Sequence, residues 1–302
     1  LKIPIPHWKR PSHPRIRPLY AALLFLLLLF TSPAQAAKVL IVGDTQYAMV
    51  ADMAADIQAT LRSPSKEYAT SEVKGRLGAI VEREDARVVV ALGMEALAEA
   101  LRLPPSISVV YGLVAAPPRS GRAGLTGVYM SPPVGEYLAL LRRYLPALGR
   151  IAVLGSPGMA RSLLGDDAGA VTVYTVNSPA ELVTTVSHIS NTRALLLLPD
   201  ANLLSAQAIT NVLLHSFKNN IPLLGISEAN VKQGALFALV FDHKAVSRQI
   251  GEKVQSILNG VAASELPEAP PHRYNLFINS NTARKMAIEI PEEMANKAKR
   301  IY

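Results

Sequence analysis

Small and polar residues come directly after the apolar runs of this 302-residue chain again and again. Gly43, Asp44, Thr45, Gln46 and Tyr47 come after Val42, and Gly93, Met94 and Glu95 after Leu92. Gly155 and Ser156 come after Leu154; Pro199, Asp200, Ala201 and Asn202 after Leu198. Gly225, Ile226, Ser227 and Glu228 come after Leu224, and Asp242 after Phe241. Where such runs are parallel strands, ligands gather beyond their carboxyl ends. The acids Asp200, Glu228 and Asp242 suit an ammonium group, and helix N-termini after the strands suit a carboxylate. Asp44, Thr45, Asp200, Asn202 and Ser227 are equally good N-caps, which a strand-to-helix loop needs with or without a ligand. The pattern across several loops therefore carries more weight than any single residue.

Chemistry beyond binding is thinly represented. His188, His215, His243 and His272 stand at no metal-ligand spacing, and there is no cysteine, so no metal site is expected. No glycine-rich dinucleotide or phosphate loop comes after a strand; the glycines at 121, 124 and 127 precede one and read as a turn. The run Gly225 to Ala229 nearly matches the G-x-S-x-G elbow of serine hydrolases, with Asp242 and His272 placed after it in hydrolase order. Its last position is alanine, and about 75 residues remain after the serine. Ser227 therefore reads as a cap or a ligand contact, with catalysis as the alternative. Neither an enzyme nor a cofactor is expected.

The elements that must place these residues alternate between β-branched runs and helical periodicity, which predicts an α/β fold with mainly parallel sheets. Strands are predicted at 38–42, 87–92, 107–111, 125–129, 150–154, 171–176, 194–198, 222–224, 236–241 and 274–278. Runs such as Val88 to Leu92 are apolar throughout, as strands buried on both faces are. Helices are predicted at 49–61, 72–84, 95–101, 135–145, 180–189, 204–219 and 244–258. Ten strands exceed one sheet of this length, and the Pro- and Gly-rich stretch 115–124 precedes a fresh β-α series from Arg150. Two lobes are the natural reading.

Half the residues are apolar and 18% are charged, which excludes a disordered chain; the absent cysteines exclude a disulfide framework. The net charge of +8 invites a nucleic-acid partner, but its location removes that reading. Residues 1–36 hold no acid and five cations: Lys2, Lys9, Arg10, Arg15 and Arg17. A 12-residue apolar run, Leu19 to Phe30, precedes Ala34-Gln35-Ala36. This order predicts a secretory signal peptide cut after Ala36, and the run is short of the roughly 20 residues of a membrane span. An uncleaved anchor is the alternative. Removing five cations from 31 leaves 26 against 23 acids, with no basic stripe interleaved with aromatics. No nucleic-acid partner is expected. With no cysteine at the cleavage site, a soluble periplasmic protein is predicted rather than a lipoprotein.

From position 194 onward the residues also carry a resemblance. Leu197 to Asn202, Asn220 to Glu228, Val231 to Leu236, Asp242, Ile257 to Gly260, Glu265 to Pro267, Asn275 to Ala283, and Ile290-Pro291 together resemble substrate-binding proteins of ABC transporters. Within them the likeness is to the group whose better-understood members bind tryptophan, phenylalanine or tyrosine. The resemblance implies a type I periplasmic-binding-protein fold, with two α/β lobes and the ligand between them. Lobe 1 is expected to span 37–129 and 243–273, and lobe 2 to span 130–242 and 274–302. Ligand contacts are implied at Asp44, Thr45, Gln46, Tyr47, Gly93, Met94, Asp200, Asn202, Ser227, Glu228 and Asp242.

This chain departs from the family pattern at three places. Met94 stands where a threonine is usual, Ala116 where an aspartate is usual, and the segment 62–71 looks shortened where a second strand normally runs. Losing a hydroxyl and a carboxylate leaves a more apolar half-site on lobe 1. The expected function is a monomeric solute-binding component of an importer, taking a small molecule such as an amino acid and docking on an inner-membrane ABC permease. An exported sensing module without a transport role is the alternative from a different class, and the same fold serves both.

Overall fold

The computed structural model describes residues 38–302; the predicted leader and its cleavage site fall outside them. Strands β1 (Val39–Val42), β2 (Ser65–Tyr68), β3 (Val88–Leu92), β4 (Ser108–Val114) and β5 (Leu125–Tyr129) form one parallel sheet in the order β2-β1-β3-β4-β5. Its central strands are buried on both faces, and alternate residues enter different cores, as a period of two requires. Val39, Ile41, Val88 and Val90 meet Met53, Ala54 and Ile57 of helix Ala48–Thr60. Leu40, Val42, Val89 and Ala91 meet Leu77, Ile80 and Leu97 from the helices on the opposite face.

The second sheet has seven strands: β6 (Ile151–Gly155), β7 (Thr172–Thr175), β8 (Ala194–Leu197), β9 (Leu223–Gly225), β10 (Phe237–Phe241), β11 (Tyr274–Ile278) and β12 (Ala298–Ile301). Their order is β12-β11-β10-β9-β8-β6-β7, with the β10–β11 pair antiparallel and the other pairs parallel. Helix Val134–Tyr144 covers one face through Tyr137, Leu138 and Leu141. Helices Pro179–His188 and Ala206–Asn219, N-capped by Ser178 and Ser205, cover the other.

The chain crosses between the sheets three times. It leaves β5 for helix Val134–Tyr144, then returns after β10 in helix His243–Leu258, whose Val246, Ile250 and Val254 pack against Val39, Ile41 and Val110. It crosses again on the way to β11, where Ala269 bridges to Val128. Lys253 Nζ donates to the Pro267 carbonyl at 2.6 Å, and Thr126 Oγ1 donates to the Leu266 carbonyl at 2.7 Å, so the last crossing is tied to β5 and to the returning helix.

All ten predicted strands are present, with ends moved by a few residues. Two more, β2 and β12, carry too little apolar alternation to be read as strands: Ser65 to Tyr68 is partly exposed along its length. Edge strand β2 occupies the segment that looks shortened in the sequence. Its Lys66 pairs with Glu84, and Tyr68 Oη donates to Glu84 Oε1 at 2.9 Å. The single helix predicted over 72–84 is two, Thr70–Val73 and Leu77–Arg83, separated where Gly75 takes a φ of 71°. Helices Pro157–Leu163, Glu228–Gln233, Ser280–Lys285 and Glu292–Lys297 have six or seven residues each, too few for periodicity to reveal.

This packing sets two expectations for stability. A Cβ at Gly127 would lie 2.5 Å from two ring carbons of the fully buried Tyr111 and 2.6 Å from its carbonyl oxygen. Gly127→Ala should therefore lower the unfolding free energy by about 1–3 kcal/mol in urea titrations, and an unchanged midpoint would refute the contact. The Lys66 ammonium, with the Tyr68 hydroxyl behind it, holds the Glu84 carboxyl down to about 2. A carboxylate with a depressed folded pKa contributes stability above its unfolded value, lost as pH falls through the folded one. The stability advantage of the wild type over Glu84→Gln should thus shrink between about pH 4.5 and pH 2. A difference that stays constant over that window would show that the pair does not stabilise β2.

Candidate functional site

The loops at the carboxyl ends of β4, β6, β8 and β9 converge on a cleft of about 670 Å³. An irregularity in β4 helps to build it. Pairing with β5 shifts register between Tyr111 and Val114, and Leu113 lies in the left-handed region with a φ of 56°. A bulge of this kind bends its strand and re-aims the residues beyond it. Here those residues are Val114, Ala115, Ala116, Pro117 and Pro118, which form the first-sheet wall of the cleft, with Met94 beside them at 61% exposure.

The second sheet supplies Ser156, Gly158, Met159 and Ser162 from the start of helix Pro157–Leu163, Pro199 to Asn202 and Leu204 after β8, and Ile226 after β9. Ser156 Oγ accepts from the Met159 N–H at 3.4 Å and so caps its own helix. A smaller cavity of about 80 Å³ shares Ala115, Pro199 and Ile226 with the cleft and is lined further in by Leu196, Leu239 and Phe241. Tyr137 closes it. Its ring stacks on Phe237 at 6.1 Å, its hydroxyl donates to the Gly225 carbonyl at 3.0 Å, and burial pushes the phenol's pKa up.

Among the described residues two charged side chains line the cleft, Arg119 and Asp200. Arg119 is exposed and donates to the Gly158 carbonyl at 3.3 Å, reaching from the loop after β4 to the helix after β6. Asp200 is 7% exposed. Its Oδ1 accepts from the Asn202 N–H at 3.0 Å, and among the described residues it has no ion pair.

The structure thus brings Met94, Asp200 and Asn202 to one cavity, with Gly93 next to Met94 as the N-cap of helix Met94–Ala100. Asp44, Thr45 and Gln46 line a separate, polar depression of about 530 Å³ with Thr70, Ser71, Lys74 and Glu95. Tyr47 precedes helix Ala48–Thr60 and is 61% exposed. Ser227 Oγ accepts from the Asn230 N–H at 3.2 Å, and among the described residues no hydrogen bond joins it to His272 or Asp242. Glu228 accepts from the Tyr302 hydroxyl and pairs with Lys232 at 3.0 Å, and these contacts lower its pKa. Asp242 Oδ1 accepts from the Ala245 N–H at 3.0 Å and Oδ2 from Asn275 Nδ2 at 3.4 Å. Its pKa is lowered, first by that backbone bond.

Sequence patterning assigns no ligand role to Pro118, Arg119, Met159, Ser162, Leu204 or Ile226. For Pro118 and Arg119 the one signal is a paired proline and an arginine soon after a strand, in a stretch that reads as the approach to the next lobe; Ile226 has its place directly after the run ending at Leu224. Among the described residues no cluster of three acids or histidines could hold a metal ion, and no helix is long and apolar enough to cross a membrane.

Two mainly parallel sheets joined by crossing segments, with an apolar cleft at the strand ends, define a binding protein of the type I periplasmic fold. A family model for ABC transporter substrate binding proteins matches residues 106–302, and the chain belongs to that family. No curated protein is significantly similar to it in sequence. Among solved structures, it is similar to a ligand-free, open substrate-binding protein with adhesive properties from Clostridium difficile: 16% identity, 87% of this chain and 98% of that one, TM-score 0.66. A conserved domain protein from Vibrio cholerae O1 biovar El Tor gives 19% identity, 88% and 100% coverage, and a TM-score of 0.59. An ABC domain from Streptococcus pneumoniae in complex with L-Trp gives 17%, 88% and 99%, and 0.55. At these identities the likeness is one of fold.

The capping bond of Asp242 can be tested by its removal. Asp242→Ala should cost about 0.5–2 kcal/mol of stability through the lost cap of helix His243–Leu258. Chemical denaturation checks this, and a loss below about 0.3 kcal/mol would show that the cap is not holding the helix.

Proposed function

We propose that the chain is the exported solute-binding component of an ABC importer, collecting a small molecule in the cleft and presenting it to a membrane permease. The observation that carries this reading is the cleft itself. Loops from both sheets line one cavity, within the roughly 300–1,000 Å³ typical of small-molecule sites, and it is largely apolar with few polar groups. The lobes would be 37–129 with 243–273 and 130–242 with 274–302, so a ligand in the cleft bridges both. Such a ligand favours the closed form in proportion to its extra affinity for that form. The leader over 1–36 would deliver the protein to the periplasm without a lipid anchor.

Within the cleft Asp200, Asn202 and Met94 are the proposed ligand contacts from the sequence, joined by Arg119, Met159 and Ile226. Gly93, Asp44, Thr45, Gln46, Tyr47, Ser227, Glu228 and Asp242 lie outside the lining of this cavity and remain proposals from the resemblance alone.

A thermal-shift screen of the mature protein against amino acids, amines, organic acids and sugars tests the reading. A true ligand at 100 times its dissociation constant adds about 2.7 kcal/mol to stability. Ala116→Trp, which fills the cleft from its wall, should abolish the shift while the unliganded protein stays folded. A ligand shift that survives Ala116→Trp would place binding elsewhere and overturn the cleft as the site.

A further inference from the structure

We infer that the cleft selects an apolar monoamine, a primary ammonium carried on an aromatic or aliphatic body without an α-carboxylate; this rests on the reading of the cleft as the solute site. Asp200 is the residue that points to it. It is 7% exposed, it lines the cavity, and among the described residues no lysine, arginine or histidine pairs with it. One oxygen is engaged by the Asn202 N–H. The other has no partner among the described residues, yet it is not sealed inside the protein. A buried carboxylate without a counterion is costly, and a cation brought in by the ligand would offset that cost. A primary amine is protonated at neutral pH, as lysine is with its pKa of about 10.4.

The rest of the cavity says what that ammonium is attached to. Along the β4 loop, Val114 to Pro118 offer no side-chain hydrogen-bonding group, and Met94 and Met159 provide flexible, polarizable walls. The inner cavity behind Pro199 and Ile226 continues this apolar surface to Phe241. For a carboxylate the cleft offers one cation and the neutral side chains of Ser156, Ser162 and Asn202. Among the described residues Arg119 is the one cation lining the cleft, and it is exposed and turned to the Gly158 carbonyl. The helices that open on the cleft, Met94–Ala100 and Pro157–Leu163, have seven residues each and are too short to offer an anion much of a dipole. One anionic group deep in an apolar cavity is complementary to an amine and leaves half of a zwitterion unmatched.

The test is titration calorimetry of the mature protein at pH 7 with matched triads. One is 2-phenylethylamine, phenylalanine and 3-phenylpropionate; the other is tryptamine, tryptophan and indole-3-propionate. The amine of each triad should bind at least tenfold more tightly than its amino acid, and the acid most weakly. Asp200→Asn keeps an oxygen for the Asn202 N–H, so it should fold, and it should weaken the amine at least tenfold without weakening the acid. An amino acid that binds as tightly as its amine, and loses affinity in Arg119→Ala, overturns the monoamine assignment while leaving the cleft as the site. Silence from all three members also overturns the assignment, and the Ala116→Trp screen then decides the cleft separately. Amine binding that persists in Asp200→Asn removes the carboxylate from its role and the inference with it.

Discussion

Helix His243–Leu258 begins at the end of a strand in one sheet and buries its apolar stripe on the other. Val246, Ile250 and Val254 recur every four residues and are fully buried beside Val39, Ile41 and Val110. Burying each such side chain is worth about 1.5–3 kcal/mol relative to exposure, so the stripe commits the chain to the crossing. Because the chain must then return to reach β11, the two sheets are held by three connections rather than by one linker. The last of these lies against β5 through the Ala269 bridge and the contacts of Thr126 and Lys253. The cleft inherits its position from this arrangement.

Two opposed demands meet in that cleft. Its walls are apolar, which favours a desolvated ligand body, yet one wall holds a buried carboxylate. A low-dielectric setting raises the cost of an unpaired charge and equally the gain from pairing it. A surface acid would discriminate poorly between cations, being screened by water and salt. Asp200, drawn below the surface by the turn its own side chain and carbonyl stabilise, discriminates through its surroundings. The Leu203 and Leu204 N–H groups both donate to the Asp200 carbonyl, so the residue is fixed from three directions before a ligand arrives.

The fold is largely legible in the sequence because its strands are buried on both faces and read as unbroken apolar runs. β2 escapes because an edge strand needs no such run: Ser65 to Tyr68 is held by Lys66 and Tyr68 reaching to Glu84, a pairing of residues 18 and 16 positions apart that no local pattern encodes. β12 escapes for the same reason, docking through backbone bonds between Ser280, Tyr302 and Ile278. The site is legible only in part. Strand-end position picks out Met94, Asp200 and Asn202, which line the cleft, but it cannot see the β4 irregularity at Leu113 that precedes Ala115 to Pro118, nor the reach of Arg119.

The ambiguity left in the sequence lies between capping and binding, since aspartate and serine do both. Geometry separates the cases by counting lone pairs. Asp242 uses both oxygens within the protein, on the Ala245 N–H and the Asn275 amide, and is a satisfied cap. Glu228 is surrounded by Tyr302, Lys232 and Arg300, so a ligand ammonium would compete with two cations already present. Asp200 caps with Oδ1, and its Oδ2 has no partner among the described residues. Capping and binding are therefore alternative roles only for a group with a single acceptor. A carboxylate can take its orientation from the backbone through one oxygen and present the second to a ligand.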